Sequence, residues 1–398
     1  MANSLPELAA LPTRIDRYPA KMISRLASSL VDRYASDAAH LIDPFCGSGA
    51  VLRAASLRGI RATGIDVNPF GVLLTSVKLH GFDRKRAASL CDTMLDAAYG
   101  SGPEYPVAWV NKDYWFTPAT LRKYERIRHA ARQMRLYKTK AGMAVLLALG
   151  LSVRQCSRSD QRSPKPFISK YARMIRSGKH FDPATIIRCL LGDLGDLYGN
   201  ILDGTGEVYQ MDMTNAGSLL QIAGSCSHVI TSPPYINAQD YFRNAKLELY
   251  VLEGVLQFSV NDIIHRFIGT ERGVERSLLN DASADERRQL VPELRHLEKM
   301  KKDQAVVVHR YLHDIASAFR TVSLLVEAGG IFVIVCGDNL IGGRRICTWR
   351  VLNKMLEGLG FVLFESFGDR IRNRAVAPMR CGHKGIIKEE IVSAFRRP

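Results

Sequence analysis

The stretch from residue 40 to residue 66 constrains the fold of this chain more than any other. It predicts a short strand at His40–Asp43, a tight turn at Pro44–Gly49 and a helix at Ala50–Leu57. A second strand is predicted at Ile60–Ile65, and it ends at the carboxylate of Asp66. Strand, tight turn, helix and strand in this order begin a doubly wound α/β sheet. We therefore expect an α/β fold.

The tight turn also has the composition of a ligand-binding loop. Gly47 and Gly49 allow a ligand to approach the backbone closely, and the start of the following helix offers free N–H groups. Asp66 ends the next strand, which is where open α/β sheets hold a ribose hydroxyl. A nicotinamide cofactor would need the longer GxGxxG spacing, which this turn lacks. The alternative is a tight turn that binds nothing.

A second motif stands at the end of a later strand, where Ser232, Pro233, Pro234 and Tyr235 follow Thr231. Two consecutive prolines remove two N–H donors and keep the backbone extended. The Ser232 oxygen and the Pro233 carbonyl are then free to accept both N–H bonds of an exocyclic amine. Tyr235 offers a face on which a base can stack, worth ~1–3 kcal/mol. The alternative is a proline-stiffened loop with a packed tyrosine.

Positive charge is concentrated in one part of the chain. The formal net charge is +16, and residues 112–188 contain 18 Lys and Arg against 4 Asp and Glu. Aromatic residues are interleaved with these cations, which favours contact with nucleic acid. From this stretch we select four candidate DNA-binding residues: Arg122, Lys123, Arg126 and Arg128. The alternatives are a solvated basic helix face and a membrane surface.

The α/β pattern is interrupted by this basic stretch and then resumes. Further strands are predicted at Glu207–Asp212, His228–Thr231, Ile331–Val335 and Phe361–Phe367, and a buried helix is predicted at Met143–Val153. We therefore expect one α/β domain formed by residues 1–81 and 206–398, with residues 82–205 as an inserted, mainly helical region. Such an insert is the candidate target-recognition region.

The cysteines and the apolar runs bear on compartment. Eight cysteines are present without a CxxC pair, so we expect reduced thiols, no zinc site and a cytoplasmic protein. The chain starts without a basic region followed by an apolar core, so we expect no signal peptide. No run approaches the roughly 18 apolar residues that a membrane-spanning helix needs.

Together, the two motifs resemble those of the amino-methylating DNA methyltransferases, a family with DPFxGSG and [DNS]PP[YFW] motifs. The resemblance implies a Rossmann-like methyltransferase sheet with S-adenosylmethionine as cofactor. It assigns catalysis to the SPPY loop, Ser232–Tyr235. It also implies that a segment containing Tyr18, Pro19 and Lys21 contacts the methionine part of the cofactor. The remaining cofactor contacts that it implies are Asp43, Pro44, Phe45, Gly47, Ser48, Gly49, Asp66, Val67 and Asp212.

The resemblance further implies base flipping and direct in-line methyl transfer within double-stranded DNA, without a metal. A cysteine nucleophile acting on cytosine C5 would need a Pro-Cys dipeptide, which is absent. Serine at the first motif position is associated in this family with cytosine N4, and aspartate with adenine N6. We expect cytosine N4 as the target, with adenine N6, an RNA base amine and an inactive nucleic-acid-binding protein as alternatives. A cognate restriction endonuclease is a further partner that the resemblance allows.

Overall fold

The structure is a computed structural model, which describes residues 22–161, 165–170, 172–173, 182–199, 204–214, 225–236, 241–269, 302–341, 344–370 and 389–398. The chain forms two compact units. The helical unit contains the described parts of residues 68–204 and 242–264. The sheet unit contains the described parts of residues 20–67, 205–241 and 265–398.

Nine strands lie in the described part of the sheet unit: β1 His40–Asp43, β2 Arg61–Asp66, β3 Gly206–Gln210, β4 Cys226–Thr231, β5 Val326–Gly337, β6 Asn339–Ile341, β7 Arg344–Ile346, β8 Val362–Arg370 and β9 Glu389–Arg396. Seven of them form one sheet in the order β3-β2-β1-β4-β5-β9-β8, and β6 pairs with β7. The pairs from β3 to β5 are parallel, whereas β9 is antiparallel to both β5 and β8. The predicted doubly wound sheet is confirmed.

The described helices are α1 Ser24–Tyr34, α2 Ala50–Ser56, α3 Pro69–His80, α4 Arg84–Ala97, α5 Lys112–Trp115, α6 Pro118–Gln133, α7 Lys140–Cys156, α8 Pro183–Tyr198, α9 Tyr241–Leu252, α10 Val260–Ile263, α11 Lys302–Leu325 and α12 Thr348–Gly358. Two 3₁₀ turns lie at Leu136–Lys138 and Ile264–Arg266. None of the helices that the structure describes is long and apolar enough to cross a membrane.

The core of the sheet unit surrounds its central strands. All four residues of β1 are buried, as expected for a parallel strand covered on both faces. Gly64 in β2 allows α2 to pack closely, because a Cβ at this position would lie 2.4 Å from Leu52 Cδ2 and 3.0 Å from Cys46 Sγ. A glycine is therefore needed where the helix after the glycine turn lies against the sheet.

The helical unit is built around α7, which packs against α3, α4 and α8. All residues from Ala144 to Arg154 are buried, so the predicted buried helix is confirmed and extends further at both ends. Capping residues fix the starts of the neighbouring helices. Asn68, Thr117 and Asp182 each accept a backbone N–H bond, and a proline follows each of them at the first position of α3, α6 and α8.

The two units divide the chain differently from the prediction of residues 1–81, 82–205 and 206–398. The helical unit begins at residue 68 because α3 packs on α7, and it also includes residues 242–264. Periodicity alone does not show which core a helix joins. Strand β9 was not predicted. It pairs with β5, which is distant in sequence, and with β8, from which other residues separate it.

Candidate cofactor and base-binding site

The candidate site lies at one edge of the sheet, where three neighbouring strands end. Strand β1 pairs in parallel with β2 on one side and with β4 on the other. The glycine turn follows β1, Asp66 ends β2, and the SPPY loop follows β4. The strand order reverses between β1 and β4, and open α/β sheets bind their ligands outside the carboxyl ends of the strands at such a point.

The glycine turn adopts a conformation that other residues rarely take. Gly47 and Gly49 have φ values of 51° and 73°, in the left-handed region that glycine enters without steric cost. The turn is tied to β2, because the Cys46 N–H donates to the Ile65 carbonyl at 2.9 Å. The Gly47 N–H donates to Asp66 Oδ2 at 2.8 Å. The two glycines leave the turn without side chains at these points, as close approach of a cofactor requires.

The carboxylates at the ends of β2 and β3 also lie at this edge. Asp66 is half-buried and accepts the Gly47 hydrogen bond, and a carboxylate has about four acceptor positions in all, which is the chemistry that a ribose hydroxyl needs. The Met211 N–H donates to the Asp66 carbonyl at 3.1 Å, which places the end of β3 beside Asp66. Asp212 follows and accepts from the Thr214 N–H at 2.9 Å. The residues present therefore fit an adenosine group.

Of the other predicted cofactor contacts, Pro44 and Ser48 are buried, whereas Phe45 and Val67 are half-buried. Phe45 packs against the core of the sheet unit. Tyr18, Pro19 and Lys21 lie outside the described residues. Their contact with the methionine part of the cofactor stays a prediction.

One buried hydrogen bond joins the glycine turn to the SPPY loop. Thr231, the last residue of β4, donates from Oγ1 to Asp43 Oδ1 at 2.7 Å. The Phe45 N–H donates to the same oxygen at 3.2 Å. Burial raises the pKa of Asp43 to about 7, although these two hydrogen bonds lower it, and the nearby charge of Asp66 raises it further. The start of each motif is therefore fixed relative to the other.

The SPPY loop is anchored at Tyr235. Ser232 and Pro234 are half-buried, and Pro233 is buried. The Tyr235 N–H donates to the Tyr241 hydroxyl at 3.2 Å, and the Tyr235 hydroxyl donates to Glu390 Oε1. The Tyr235 side chain is only 2% exposed, so its ring does not present a free face in this structure. Stacking of a base on this ring stays a prediction.

Sequence reasoning missed Glu390. Its only signal is a carboxylate near the start of a short apolar segment close to the end of the printed sequence. The contact with Tyr235 depends on the antiparallel pairing of β9, which no local pattern indicates.

Two of the four predicted DNA-binding residues are exposed. Arg122 and Lys123 both point to solvent from α6, and Lys123 forms an ion pair with Asp182 at 3.0 Å. Arg126 is half-buried and lies 3.2 Å from Glu104. Exposed ion pairs contribute little to stability, so these side chains can exchange their carboxylate partners for phosphate. Contact of Arg122, Lys123 and Arg126 with DNA stays a prediction.

The prediction for Arg128 was wrong. Its side chain is 1% exposed, and its guanidinium donates to the carbonyls of Tyr105, Val251 and Glu253 at 2.7–2.8 Å. Burial lowers its pKa to about 10. The guanidinium therefore joins segments of the helical unit instead of facing solvent, where a phosphate would bind.

An aromatic cluster with a lysine also lies in the helical unit. Trp109 stacks on Tyr250 with ring centroids 4.4 Å apart, and Trp115 lies 6.3 Å from Trp109. Lys246 Nζ lies 4.4 Å from the Trp115 ring centroid and 5.6 Å from that of Trp109. Tyr114 beside them is 50% exposed. Tyr114 and Trp115 belong to the basic stretch of residues 112–188 with its interleaved aromatic residues, whereas Trp109, Lys246 and Tyr250 lie outside it and were missed.

The strand order shows the fold class of the protein. The sheet order, the reversed strand β9 and the glycine turn at the point where the strand order reverses form a Rossmann-like methyltransferase fold. This fold and the similarity to Type II methyltransferases imply S-adenosylmethionine as the methyl donor of this chain. Among the described residues, no group of three or more His, Cys, Asp or Glu side chains is arranged to hold a metal.

Comparison with known proteins gives matches at the level of sequence. The Type II methyltransferase M.MjaII from Methanocaldococcus jannaschii is 34% identical over 82 residues, which are 21% of this chain and 16% of that protein. The Type II methyltransferase M.AvaI from Nostoc sp. and from Anabaena variabilis is 24% identical over 352 residues, covering 81% of this chain and 73% of that protein. No family model matches the chain.

One solved structure aligns with nearly the whole chain. The rRNA methyltransferase AviRa from Streptomyces viridochromogenes is 12% identical, with 97% of this chain and 90% of that chain covered. The TM-score is 0.28, and a second structure of the same protein gives 0.30. The strand order of this chain itself shows the Rossmann-like fold.

Proposed function

We propose that this protein is an S-adenosylmethionine-dependent DNA methyltransferase that methylates an exocyclic base amine, with cytosine N4 as the target. The observation that carries the proposal is the hydrogen bond between Asp43 and Thr231 at 2.7 Å. It fixes a cofactor-type glycine turn beside a loop that can hold an amine. The similarity to Type II methyltransferases supports a DNA substrate.

The chemistry of the SPPY loop follows from what its backbone lacks. S-adenosylmethionine, when bound, supplies an electrophilic methyl group. Pro233 and Pro234 have no N–H groups, so the loop offers acceptors without competing donors at these positions. The Ser232 oxygen and the Pro233 carbonyl accept the two N–H bonds of the amine. These bonds draw the nitrogen lone pair out of conjugation with the base and direct it toward the methyl group.

The choice of cytosine over adenine rests on the first residue of the loop. In the family that the two motifs resemble, serine at this position is associated with cytosine N4 and aspartate with adenine N6. A serine hydroxyl accepts less strongly than a carboxylate and can also donate a hydrogen bond. Adenine N6 is the alternative target, because adenine also presents an amino group beside a ring nitrogen.

The charge of the chain supports a polyanionic substrate. The net charge is +16, and the exposed side chains of Arg122 and Lys123 belong to its most basic stretch. Neutralising phosphates releases bound counterions, so we expect DNA binding to weaken steeply with salt. A cognate restriction endonuclease and a cytoplasmic location remain predictions from the sequence.

Transfer of tritium from labelled S-adenosylmethionine to duplex DNA, with RNA as a parallel substrate, tests the proposal. We expect label in DNA, and a loss of about 100-fold or more in turnover for Ser232→Ala because removing one positioned hydrogen-bonding group costs that much in other enzymes. Ser323→Ala is the matched control, since the Ser323 hydroxyl donates to the Arg320 carbonyl of its own helix. Label in RNA alone would contradict a DNA substrate, and normal turnover by Ser232→Ala would contradict the role of the loop.

A further inference from the structure

Strand β9 brings a carboxylate to the edge of the sheet where the SPPY loop lies. Because β9 is antiparallel, its first residues pair with the last residues of β5, and Glu390 lies opposite Gly337. The parallel strands β4 and β5 both end at this edge. A side chain at the start of β9 can therefore reach the loop that follows β4, which none of the parallel strands could do from its own start.

The carboxylate of Glu390 contacts the most deeply buried end of the loop. It accepts a hydrogen bond from the hydroxyl of Tyr235, whose ring is 2% exposed. A hydrogen bond to a carboxylate is about twice as strong as one between neutral groups. The Tyr235 N–H is held separately by the Tyr241 hydroxyl. The backbone and the tip of the same residue are thus both held, which restricts the orientation of the side chain.

The surroundings of this contact do not favour burial of a charge. Desolvation raises the pKa of Glu390, and the pKa of Tyr235 is raised well above its usual value for the same reason. Glu390 is half-buried, and partial burial of a carboxylate costs free energy that one hydrogen bond only partly offsets. The contact is therefore better explained by orientation of the tyrosine than by stability.

We propose that Glu390 is a positioning residue, which fixes the orientation of the Tyr235 ring within the SPPY loop. This inference rests on the proposed function, in which the loop holds the target base. Glu390 does not touch the reacting atoms. It acts through the Tyr235 hydroxyl, so its effect on methyl transfer requires that hydroxyl.

A double-mutant cycle tests the inference with the full-length protein and duplex genomic DNA. Glu390→Ala and Tyr235→Phe should each lower the single-turnover rate of tritium transfer about 10- to 100-fold, as expected for loss of a hydrogen bond to a charged group. The double variant should be no slower than the slower single variant, since both changes remove the same contact. Cofactor affinity, measured by calorimetry with S-adenosylmethionine, should stay unchanged in all three.

Two further variants separate positioning from folding. Glu390→Gln keeps an acceptor oxygen and should transfer methyl groups at a rate close to that of the wild type. Glu389→Gln changes the exposed neighbour on the same strand and should have no effect. A wild-type rate for Tyr235→Phe would overturn the inference even if Glu390→Ala failed to fold. Losses that multiply in the double variant would overturn it as well, because Glu390 would then act independently of the hydroxyl.

Failure of the proposed function would give a different result, namely no transfer to DNA by the wild type. The contact itself is then tested by urea unfolding of the wild type, Glu390→Gln, Tyr235→Phe and the double variant. Coupling between the two substitutions is expected. Strictly additive effects on stability would overturn the assigned contact between Glu390 and Tyr235.

Discussion

Replacing Thr231 by valine removes the donor that joins the two motifs and keeps the shape of the side chain. The hydroxyl donates to Asp43 at 2.7 Å, and Asp43 is buried with a pKa of about 7. A hydrogen bond to a charged group contributes about 1.5–3 kcal/mol. Its loss therefore raises the pKa of Asp43 further above its wild-type value of about 7.

The sign of the pH dependence follows from the direction of this change. The pKa of Asp43 is higher in the folded protein than its ordinary value of 3.8, so folding favours the protonated carboxyl. The free energy of unfolding therefore falls as pH rises from about 4 to the folded pKa and levels off above it. In the wild type this decrease ends near pH 7, whereas in Thr231→Val it continues to higher pH.

Urea unfolding at several pH values between 6 and 9 measures this difference. We expect the free energy of unfolding of Thr231→Val to fall increasingly below that of the wild type over this range. The difference between the two should grow by about 1.5–3 kcal/mol. Thr231→Ser should restore the wild-type profile because it keeps the hydroxyl. Thr63→Val is the control, since it removes a buried hydrogen bond to His40. Burial lowers the pKa of His40 from its usual 6.5, so this variant should differ from the wild type by a nearly constant amount over this range. A constant difference between Thr231→Val and the wild type across pH 6–9 would refute the reasoning.

Three further substitutions test other parts of the account. Asp66→Ala should weaken S-adenosylmethionine binding about tenfold or more, as measured by calorimetry, and unchanged affinity in a folded variant would contradict the cofactor assignment. Gly64→Ala should lower the free energy of unfolding by about 1–3 kcal/mol through overpacking. Gly358→Ala is the control, because Gly358 has open space around it. Equal effects of the two substitutions would contradict the packing of α2. Arg128→Met should destabilise the protein by about 3 kcal/mol, because three carbonyls lose their donor. The exposed Arg122 is the control, and Arg122→Met should change stability by less than about 0.5 kcal/mol. Similar urea midpoints for the two variants would contradict the burial of Arg128.

The elements nearest the site could be predicted because their signals are local. Strand β1 has the predicted bounds, His40–Asp43, and β2 differs by one residue at each end. Helix α2 ends one residue before the predicted Leu57. Glycine turns and short apolar runs depend on neighbouring residues, so the sequence contains enough information to predict them.

The side of a helix on which a charge lies was harder to predict. Arg128 was selected for its charge, although Tyr124, Ile127 and Ala131 are all buried on the same face of α6. Their spacing places residue 128 on that face, so the helical period contained the signal that the charge count ignored. A charged residue within an apolar helical stripe is better interpreted first as a structural residue.

Contacts between distant segments could not be predicted at all. Glu390 reaches Tyr235 because β9 is inserted between β5 and β8 in reverse direction. Such pairing depends on the register of three strands from separate parts of the chain. The 2% exposure of Tyr235 follows from the same packing, so the sequence indicated an aromatic residue at the site but not its environment.

Nucleoside mass spectrometry of duplex DNA treated with the protein and S-adenosylmethionine tests the central claim most directly. The account predicts N4-methylcytosine, which is absent after treatment with Ser232→Ala. N6-methyladenine without methylated cytosine would reverse the choice of base and leave the amine mechanism in place. A C5-methylated cytosine, or no methylated base from a folded protein that binds S-adenosylmethionine, would contradict the claim that the SPPY loop directs methyl transfer to an exocyclic amine of DNA.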